Sequence, residues 1–328
     1  MKIAKALALA YCASSILPSL KTDKWWVRIF DFPRSQFAAG GALAGLLYLL
    51  GSEDKKEEKL PIAALLLAAL GTDAYRIAPY TPLVSTESLP ASQTNEARQL
   101  SILVANVLQD NDQFSRLTAL VKKTNPDLVF LLEVNERWLE EVKEIEESYP
   151  HFLKEPLENT YGLALYSRLP LRKAKVNYLV EDHVPSVHGF VELPSGEEVE
   201  FYGVHPSPPR PDYGDTTERD AELILVGKKA KKAEGPVIVM GDLNDVAWSH
   251  TTRLFRRVSG LLDPRVGRGP FPTFPAAYPF FRFPLDHVFH SASLRLNHIA
   301  RAESIGSDHF PFLINFQLEP ESKSAQRP

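Results

Sequence analysis

The stretch PVIVMGDLND, residues 236–245, joins an apolar run to an abruptly polar end. The run 236–240 has the length and apolar character of a buried strand. Its end holds Gly241, Asp242, Asn244 and Asp245. A single end of this kind is an ordinary turn, because Asp and Asn favour the start of loops. Its meaning therefore depends on whether other strands of the chain end in the same way.

Strand-like runs and helical patterns alternate over the chain after residue 99. Apolar runs predict further strands at 100–107, 127–134, 162–167, 188–193, 199–205, 285–290, 294–304 and 310–318. Helical patterns lie near 112–124 and 135–147 and from about Thr216 to Lys232. This mixture of βα units and hairpins predicts an α/β (α+β) fold, a four-layer sandwich of two mixed β-sheets flanked by helices.

Five of the predicted strands end in a residue that could bind a metal ion or move a proton, and a sixth group precedes the last strand. These residues are Asn106, Glu133, His205, Asp242 with Asn244, Asp286, and Asp308 with His309. Such residues converge in space when their strands share a sheet. Carboxylate and amide oxygens suit Mg²⁺ or Mn²⁺ better than zinc, and histidines beside them can bind a phosphoryl group or assist proton transfer. The pattern predicts hydrolysis of a phosphate ester.

These motifs, taken in order, resemble the endonuclease/exonuclease/phosphatase (DNase I-like) superfamily over residues 100–318. The resemblance is carried by LVAN (103–106), LLEV (131–134), GVHPSPP (203–209), GDLN (241–244), LDHVF (285–289) and SDHFP (307–311). Each motif is short, and their order at strand ends makes the signal specific. HPSPPRPDYGD (205–215) and WWVRIFDFPR (25–34) are similar to the membrane-anchored bacterial branch, which includes teicoplanin-resistance-like proteins.

The resemblance implies a hydrolase that depends on a divalent metal ion, Mg²⁺ or Mn²⁺. It implies that Glu133 is the principal metal ligand, with Asn106 and Asp308 completing the shell directly or through water. We therefore expect these three residues to surround one point at the edge of the sheets.

The resemblance also implies which residues act on water and phosphate. Asp242 would orient or deprotonate the attacking water, and Asn244 would hold that water or a phosphate oxygen. His205 and His309, the latter braced by Asp286, would stabilise charge on the phosphoryl group in the transition state.

Substrate contacts are predicted on either side of these motifs. Arg210 and Arg219 follow the proline-rich loop and could contact phosphate groups of the substrate. Tyr278, Phe280, Phe281 and Phe283 in FPAAYPFFRFP (274–284) could form an apolar wall beside the site or could dip toward lipid. The sequence leaves these two interpretations open.

The first eighty residues contain three apolar segments, at 3–20, 36–50 and 60–71. Each is shorter than the roughly 20 residues of a typical transmembrane helix, but Gly- and Ala-rich faces would let three short helices pack closely in lipid. We therefore predict a bundle of about three short transmembrane helices that contact membrane lipids. A buried soluble helical hairpin, or a cleaved signal peptide for the first segment, is the alternative.

These observations predict four parts of the chain: a membrane anchor at 1–80, a linker at 81–99, a catalytic domain at 100–318 and a flexible tail at 319–328. The linker prediction depends on a Pro-, Ser- and Thr-rich stretch without periodicity. The first segment is similar to an uncleaved signal anchor. The expected location is thus a bacterial cell membrane, crossed several times, with the catalytic domain outside the cytoplasm.

Composition excludes several classes of protein. Apolar residues make up 44% of the chain, charged residues 24%, and the formal net charge is −4, which excludes a disordered chain and a wholly basic nucleic-acid binder. Cys12 is the only cysteine, so the chain has no internal disulfide and no cysteine-based zinc site.

The predicted function is that of a membrane-anchored, metal-dependent phosphoric ester hydrolase, acting on a phosphomonoester, a phosphodiester or a lipid-linked (pyro)phosphate. An endonuclease or exonuclease is the alternative, but a nuclease would need a basic groove, and the basic cluster GKKAKK (227–232) is expected away from the site. A non-catalytic scaffold is a second alternative, which the intact set of site residues opposes.

Overall fold

In the computed structural model of the protein, the described residues are 1–20, 22–212 and 214–319. Over these residues the helices are α1 (Lys2–Ile16), α2 (Trp25–Arg28), α3 (Arg34–Gly51), α4 (Lys56–Ile77), α5 (Phe114–Thr124), α6 (Glu136–Glu141), α7 (Thr217–Lys231) and α8 (His250–Ser259). The strands are β1 (Gln99–Asn106), β2 (Leu128–Leu132), β3 (His151–Glu155), β4 (Leu163–Ser167), β5 (Leu171–Tyr178), β6 (Pro185–Glu192), β7 (Glu198–Gly203), β8 (Val237–Asp242), β9 (Asp286–His290), β10 (Leu294–Arg301) and β11 (Phe312–Leu318).

The strands form two mixed sheets. The first has the order β10-β11-β1-β2-β4-β3, and the second has the order β5-β6-β7-β8-β9. Within them β1 and β2 are parallel, as are β7 and β8, and the other neighbours are antiparallel. The opening stretch forms β8, whose six residues are all buried and which lies between β7 and β9. Its position inside the sheet explains why its apolar run is uninterrupted.

The core lies between the two sheets, and helices cover their outer faces. Apolar side chains of both sheets meet in the middle, among them Ile102, Phe130, Phe201, Met240 and Phe312. On one outer face α5 and α6 pack against the first sheet, and on the other α7 and α8 pack against the second. The prediction of two mixed sheets flanked by helices is confirmed.

Three elements were not predicted from the sequence. The strands β3 and β5 are edge strands with few fully buried positions, so they lack an apolar run. The helix α8 buries only a narrow face, and its start is marked by Ser249, whose side chain accepts the backbone N–H of Thr252 at 3.0 Å. The predicted helix at 135–147 consists of α6 followed by a 3₁₀ turn at Lys143–Glu147.

The helices α1, α3 and α4 pack together into an N-terminal bundle. Small residues allow the close approach: a Cβ atom on Gly41 would lie 2.1 Å from Tyr11 Cδ1, and one on Gly45 would lie 2.7 Å from Leu66 Cδ1. The buried guanidinium of Arg34 pairs with Asp31 at 2.5 Å and also with Asp73. The Gly- and Ala-rich face therefore acts as predicted in bringing the helices together.

The number of membrane crossings differs from the prediction. Among the described residues, one helix is long and apolar enough to cross a membrane. It is α4 together with the 3₁₀ turn that follows it, Lys56–Tyr80. The helix α1 has only 15 residues, and α3 begins with the polar residues Arg34, Ser35 and Gln36. Three transmembrane helices are thus not supported, because two of the apolar segments are too short or too polar at one end.

The bundle and the segment after it lie against the sandwich. Trp248 Nε1 donates to the carbonyl oxygen of Asp31 at 2.7 Å. In the predicted linker, Ser88 is fully buried and its Oγ lies 2.6 Å from His290 Nε2. Residues 81–95 are irregular, Glu96–Arg98 form a 3₁₀ turn and Gln99 begins β1. This stretch contacts the sandwich, and the division into anchor, linker and catalytic domain stays a prediction. Of the predicted tail, residues 320–328 lie outside the described residues.

Candidate active site

The polar end of β8 is built by an unusual backbone. Gly241 has φ +142°, and a Cβ atom there would lie 1.9 Å from the carbonyl oxygen of Val204, so the neighbouring loop requires a glycine. Asn244 has φ +49°, a left-handed conformation that is rare for residues other than glycine. Its backbone N–H donates to Asp242 Oδ1 at 2.9 Å, which fixes one oxygen of that buried carboxylate. The stretch thus presents Asp242 in a single orientation.

Asn106 and Glu133 come to the same place from the other sheet. Their strands β1 and β2 are parallel neighbours, and Asn106 pairs with Leu132, directly before Glu133. Asn106 Nδ2 donates to Glu133 Oε1 at 2.8 Å and lies 3.2 Å from Asp242 Oδ2. The Asn106 amide therefore contacts two carboxylates from different sheets: Glu133, directly after β2, and Asp242, at the end of β8.

Burial governs the charge of these two carboxylates. Loss of solvent raises the pKa of Glu133, and the hydrogen bond from Asn106 offsets part of that rise. Loss of solvent also raises the pKa of Asp242, while the neighbouring His309 lowers it. Two buried acids beside one another are costly unless a positive charge is nearby.

His309 supplies a positive charge between two carboxylates. Its Nδ1 lies 2.9 Å from Asp286 Oδ2, and its Nε2 lies 3.5 Å from Asp242 Oδ2. Burial alone would lower the pKa of His309, but Asp286 and Asp242 outweigh it and raise the pKa to about 10. Both ring nitrogens then carry protons at neutral pH, with Asp286 holding the ring from behind.

His205, unlike His309, is uncharged. Burial lowers the pKa of this imidazole, and the attraction of Asp242 offsets only part of the effect. His205 Nε2 lies 3.8 Å from Asp242 Oδ2, and within the described part of the chain Nδ1 has no hydrogen-bond partner. The ring is neutral and has hydrogen-bonding capacity to offer a ligand.

Two neighbouring groups of side chains could hold a metal ion. Asp242, Asp286 and His309 each offer an atom within 4.8 Å of the others. Glu133 and Asp308 line the same cavity, and Asn106 lies between Glu133 and Asp242. Glu133, a partly buried carboxylate that accepts N–H donors from Asn106 and Gln109, fits a divalent cation that prefers oxygen ligands.

The two arginines predicted to contact phosphate occupy different positions. Arg210 lines the cavity. Arg219 is 2% exposed, does not line the cavity, and donates Nη1 to the carbonyl oxygen of Asn244 at 2.8 Å. The structure therefore does not bring Arg219 to the cavity; it lies behind the loop that carries Asn244 and holds it.

Asp245, to which the sequence assigned no role, supports the same loop from below. Its carboxylate accepts the Ser249 hydroxyl, and Thr252 Oγ1 at 3.2 Å, at the start of α8. Burial raises the pKa of this carboxyl to about 6, although Arg219 acts in the opposite direction. Of the two carboxylates in the opening stretch, Asp245 is thus buried and hydrogen-bonded to the start of α8, and only Asp242 reaches the cavity.

The cavity has a volume of about 450 Å³ and is only partly polar. Its lining includes aromatic residues that the sequence had not connected with a site: Phe30, Phe32 and Phe37 from the N-terminal segment, Tyr161, and Phe274 from the loop before β9. Phe281 and Phe283 of that loop, whose place was left open, also line the cavity. From the sequence, residues 25–34 were related only to a membrane-anchored branch. No local signal relates them to a site whose first residue, Asn106, lies more than 70 positions further along the chain.

Comparison with known proteins gave one family and many similar folds. The family model described as the endonuclease/exonuclease/phosphatase family matches residues 103–309, which span every strand-end motif from Asn106 to His309. A search of curated proteins found no match.

Four solved structures illustrate the similarity in fold. Humanized D. rerio TDP2 is 20% identical, covers 67% of this chain and 99% of its own, and has a TM-score of 0.55; the D. rerio TDP2 complex with a single strand DNA product has the same values. An endonuclease/exonuclease/phosphatase from Beutenbergia cavernae is 19% identical, with coverages of 68% and 72% and a TM-score of 0.53. The human Nocturnin catalytic domain with bound sulfate is 16% identical, with coverages of 71% and 97% and a TM-score of 0.55.

Proposed function

The chain belongs to the endonuclease/exonuclease/phosphatase family, and from this membership we propose that it hydrolyses a phosphate ester with the help of a divalent cation. The observation that carries the proposal is the position of Asn106, whose amide joins Glu133 and Asp242 at the end of both sheets. Asn106 would then link Glu133, at the cation site, to Asp242, which would activate the water.

Glu133, Asn106 and Asp308 are the residues that we propose would hold Mg²⁺ or Mn²⁺. Asn106 Oδ1 accepts the N–H of Leu108 at 3.0 Å and keeps a second lone pair for a ligand. The grouping of Asp242, Asp286 and His309 is less suitable, because His309 Nδ1 and Asp286 Oδ2 already pair with each other at 2.9 Å. When bound, the cation supplies positive charge for the phosphate oxygens.

Asp242 is the proposed acceptor of a proton from the attacking water. Its Oδ1 is held by the N–H of Asn244, which leaves Oδ2 to face the cavity beside His205 and His309. The protonated His309 would donate its Nε2 hydrogen to a phosphoryl oxygen while Asp286 keeps the ring in place. His205, neutral and incompletely hydrogen-bonded, would donate a second hydrogen bond.

Two arginines would assist the reaction in different ways. Arg210, at the cavity wall, is the proposed contact for a phosphate oxygen. Arg219 is a proposed positioning residue, which acts through its hydrogen bond to the Asn244 carbonyl oxygen. Its charge is balanced by Asp220 at 2.9 Å, so it brings no uncompensated charge to the site.

Attachment to a membrane through the N-terminal bundle is the second part of the proposal. Large apolar side chains cover the outside of the bundle, among them Ile3, Leu7, Leu43, Leu46, Leu47, Leu50, Leu60 and Leu67. An apolar surface of this extent, unusual for a protein surrounded by water, suits contact with lipid. The helix Lys56–Tyr80 is the candidate for a crossing. A place in the teicoplanin-resistance-like branch and a catalytic domain outside the cytoplasm remain predictions.

A nuclease is the alternative function, favoured by the single strand DNA product in the D. rerio TDP2 structure. The lining of the cavity opposes it. Arg210 is the only lysine or arginine among the described residues that line the cavity. Nucleic-acid affinity depends on several cationic contacts to successive phosphates, so we favour a substrate with one phosphate group or pyrophosphate.

A substrate panel tests the proposed reaction. Phosphomonoesters, phosphodiesters, lipid pyrophosphates and single-stranded DNA are assayed with Mg²⁺ or Mn²⁺, and then with EDTA. Hydrolysis that EDTA abolishes is the expected result. The absence of metal-dependent turnover on every member of the panel would refute the proposal.

The variant Glu133→Gln tests the metal site. We expect hydrolysis to fall by about 100-fold or more, because a metal ligand is lost while the side-chain volume is kept. Glu155→Gln is the matched control, since Glu155 is a half-buried glutamate at the end of β3 in the same sheet and does not line the cavity. Equal activity of the two variants would show that Glu133 is not a ligand.

A further inference from the structure

We propose that the substrate is an amphiphilic phosphate ester, and that its acyl, alkyl or isoprenoid chain lies against an aromatic wall built jointly by the N-terminal segment and the loop before β9. This inference rests on the proposed phosphoester hydrolysis and names the class of ester. The aromatic wall consists of Phe30, Phe32, Phe37, Phe274, Phe281 and Phe283, all of which line the same cavity.

The cavity is divided into a polar end and an apolar end. The polar end carries the site residues Glu133, His205, Asp242, Asn244, Asp308 and His309. The remainder is lined mainly by the aromatic wall with Ile29, Pro33, Pro208, Pro209 and Leu285. A ligand that fills such a cavity must itself have a charged head and an apolar body. A small inorganic or sugar phosphate would leave the apolar end in contact with water.

The aromatic wall begins at the proposed catalytic residues. The ring of Phe274 lies 4.8 Å from that of His309, measured between ring centroids. Phe283, paired to Phe274 through the backbone, makes edge contacts with Phe281 at 5.0 Å and with Phe32 at 5.9 Å. The apolar surface therefore continues without a break from the phosphate position to the N-terminal segment.

Hydrogen bonds hold both halves of the wall to the site. The backbone N–H of Ala276 donates to the carbonyl oxygen of Asp308 at 2.7 Å, which fixes the loop to a proposed metal ligand. On the other side, Trp248 Nε1 holds the carbonyl oxygen of Asp31 at 2.7 Å, between Phe30 and Phe32. Gln36 Nε2 reaches the carbonyl oxygen of Phe280 at 3.3 Å and joins the two halves. Hydrogen bonds thus fix both halves of the aromatic wall in place at the cavity.

The outer edge of the wall is apolar and exposed, next to the bundle. Phe280 is 93% exposed and Tyr278 is 65% exposed, both on the loop that carries Phe281. The other half of the wall runs directly into α3, whose exposed Leu43, Leu46 and Leu47 belong to the apolar surface of the bundle. A chain leaving the cavity along this edge would stay on apolar surface, which favours a lipid-like chain over a nucleotide with its charged backbone.

Soluble esters of graded chain length test the inference. Ethyl, butyl, hexyl and octyl phosphates are assayed on the full chain in nanodiscs, below the concentrations at which the esters form micelles. We expect kcat/KM to rise from ethyl to octyl phosphate by about tenfold or more, because each buried methylene contributes to binding. We expect Phe281→Ala and Phe30→Ala to reduce this octyl-to-ethyl ratio by about tenfold, the scale of losing much of one buried aromatic ring.

Phe152→Ala is the matched control. Phe152 is 43% exposed and Phe281 is 44% exposed, but Phe152 lies on β3 and does not line the cavity. Its variant should keep the octyl-to-ethyl ratio of the unmodified chain. Should a wall variant fail to fold, the chain-length series on the unmodified chain still decides the question.

Each outcome separates this inference from the proposed function. Metal-dependent hydrolysis with no dependence on chain length, or faster turnover of single-stranded DNA than of any alkyl ester, would overturn the inference and leave phosphoester hydrolysis standing. If no ester is hydrolysed, the proposed function fails. Calorimetry with ethyl and octyl phosphonate then tests the binding: equal affinity, or no binding of either, overturns the inference, and tighter binding of octyl phosphonate supports it.

Discussion

At the scale of single residues, the site depends on pairing buried charges of opposite sign. His309 lies between Asp242 and Asp286, and its positive charge is what permits two carboxylates to be buried so close together. Arg219 plays the same part for Asp245 and Asp220 behind the site. The strand-end pattern had marked Asp242 and Asp286 in advance, but not Asp245 or Asp220. The rise in the pKa of Asp242 and of Asp245 comes from their burial, which the residue types alone do not reveal.

Among the described residues, Glu222 is a buried acid without such a partner, and its burial predicts a pH dependence of stability. It is 2% exposed on α7, and in the described part of the chain its Oε1 has no hydrogen-bond partner. Burial raises its pKa to about 8, with a further rise from Glu181. The unfolded chain loses this proton near pH 4.5 and the folded chain keeps it until about pH 8, so stability falls as the pH rises between these values.

The variant Glu222→Gln should remove that loss. Relative to the unmodified chain, its free energy of unfolding is expected to rise by about 3 kcal/mol between pH 5 and pH 8. Thermal unfolding of both proteins at the two pH values measures the difference. Glu234→Gln, which changes an exposed glutamate just after α7, should show no such trend. A constant difference between Glu222→Gln and the unmodified chain would contradict the prediction.

At the scale of elements, β8 and the loop after it place Asp242 and Asn244 at the cavity. The strand is buried between β7 and β9, and its end is shaped by a glycine, a left-handed asparagine and the support of Asp245 under α8. Strained backbone at such an end persists because the surrounding contacts determine it. Asp242, at the end of β8, is therefore held in a fixed position by the sheet.

Gly241→Ala tests this function of the strand end. We expect a loss of about 3 kcal/mol or more in the free energy of unfolding, because the new Cβ would meet the Val204 carbonyl oxygen and the backbone conformation excludes alanine. Chemical denaturation provides the measurement.

The control is Gly235→Ala, at a position where a Cβ atom meets nothing within 4 Å. That variant should unfold within about 0.5 kcal/mol of the unmodified chain, as surface substitutions usually do. Equal stability of the two variants would mean that Val204 can move aside and that the strand end is not rigid.

At the scale of the whole molecule, the N-terminal bundle does more than precede the sandwich. It buries its own ion pairs, presents apolar side chains outward and contributes to one side of the cavity at the candidate site. An anchor attached by a loose linker would leave the orientation of the site free. Here the hydrogen bonds of Trp248 and of the buried Ser88 hold the sandwich in a defined position relative to the bundle.

The double variant Leu46→Lys with Leu47→Lys tests membrane attachment. Both side chains are exposed on α3, and each lysine is expected to cost roughly 3 kcal/mol if its position lies in the hydrocarbon layer. Co-sedimentation with liposomes should fall sharply. Val180→Lys, which changes an exposed apolar residue of the sandwich, is the control and should sediment as the unmodified chain does. Unchanged sedimentation of the double variant would contradict attachment through the bundle.

The sequence by itself determined nine of the eleven described strands, the two-sheet fold and the set of polar residues at the strand ends. These are readable because an apolar run and its polar end are local features of the chain. The tertiary structure alone decided that Asn106 bridges two sheets, that Arg219 faces away from the cavity and that Phe30 and Phe32 face into it. Each of these depends on contacts between residues more than twenty positions apart, and such contacts are set by packing, which no local pattern encodes.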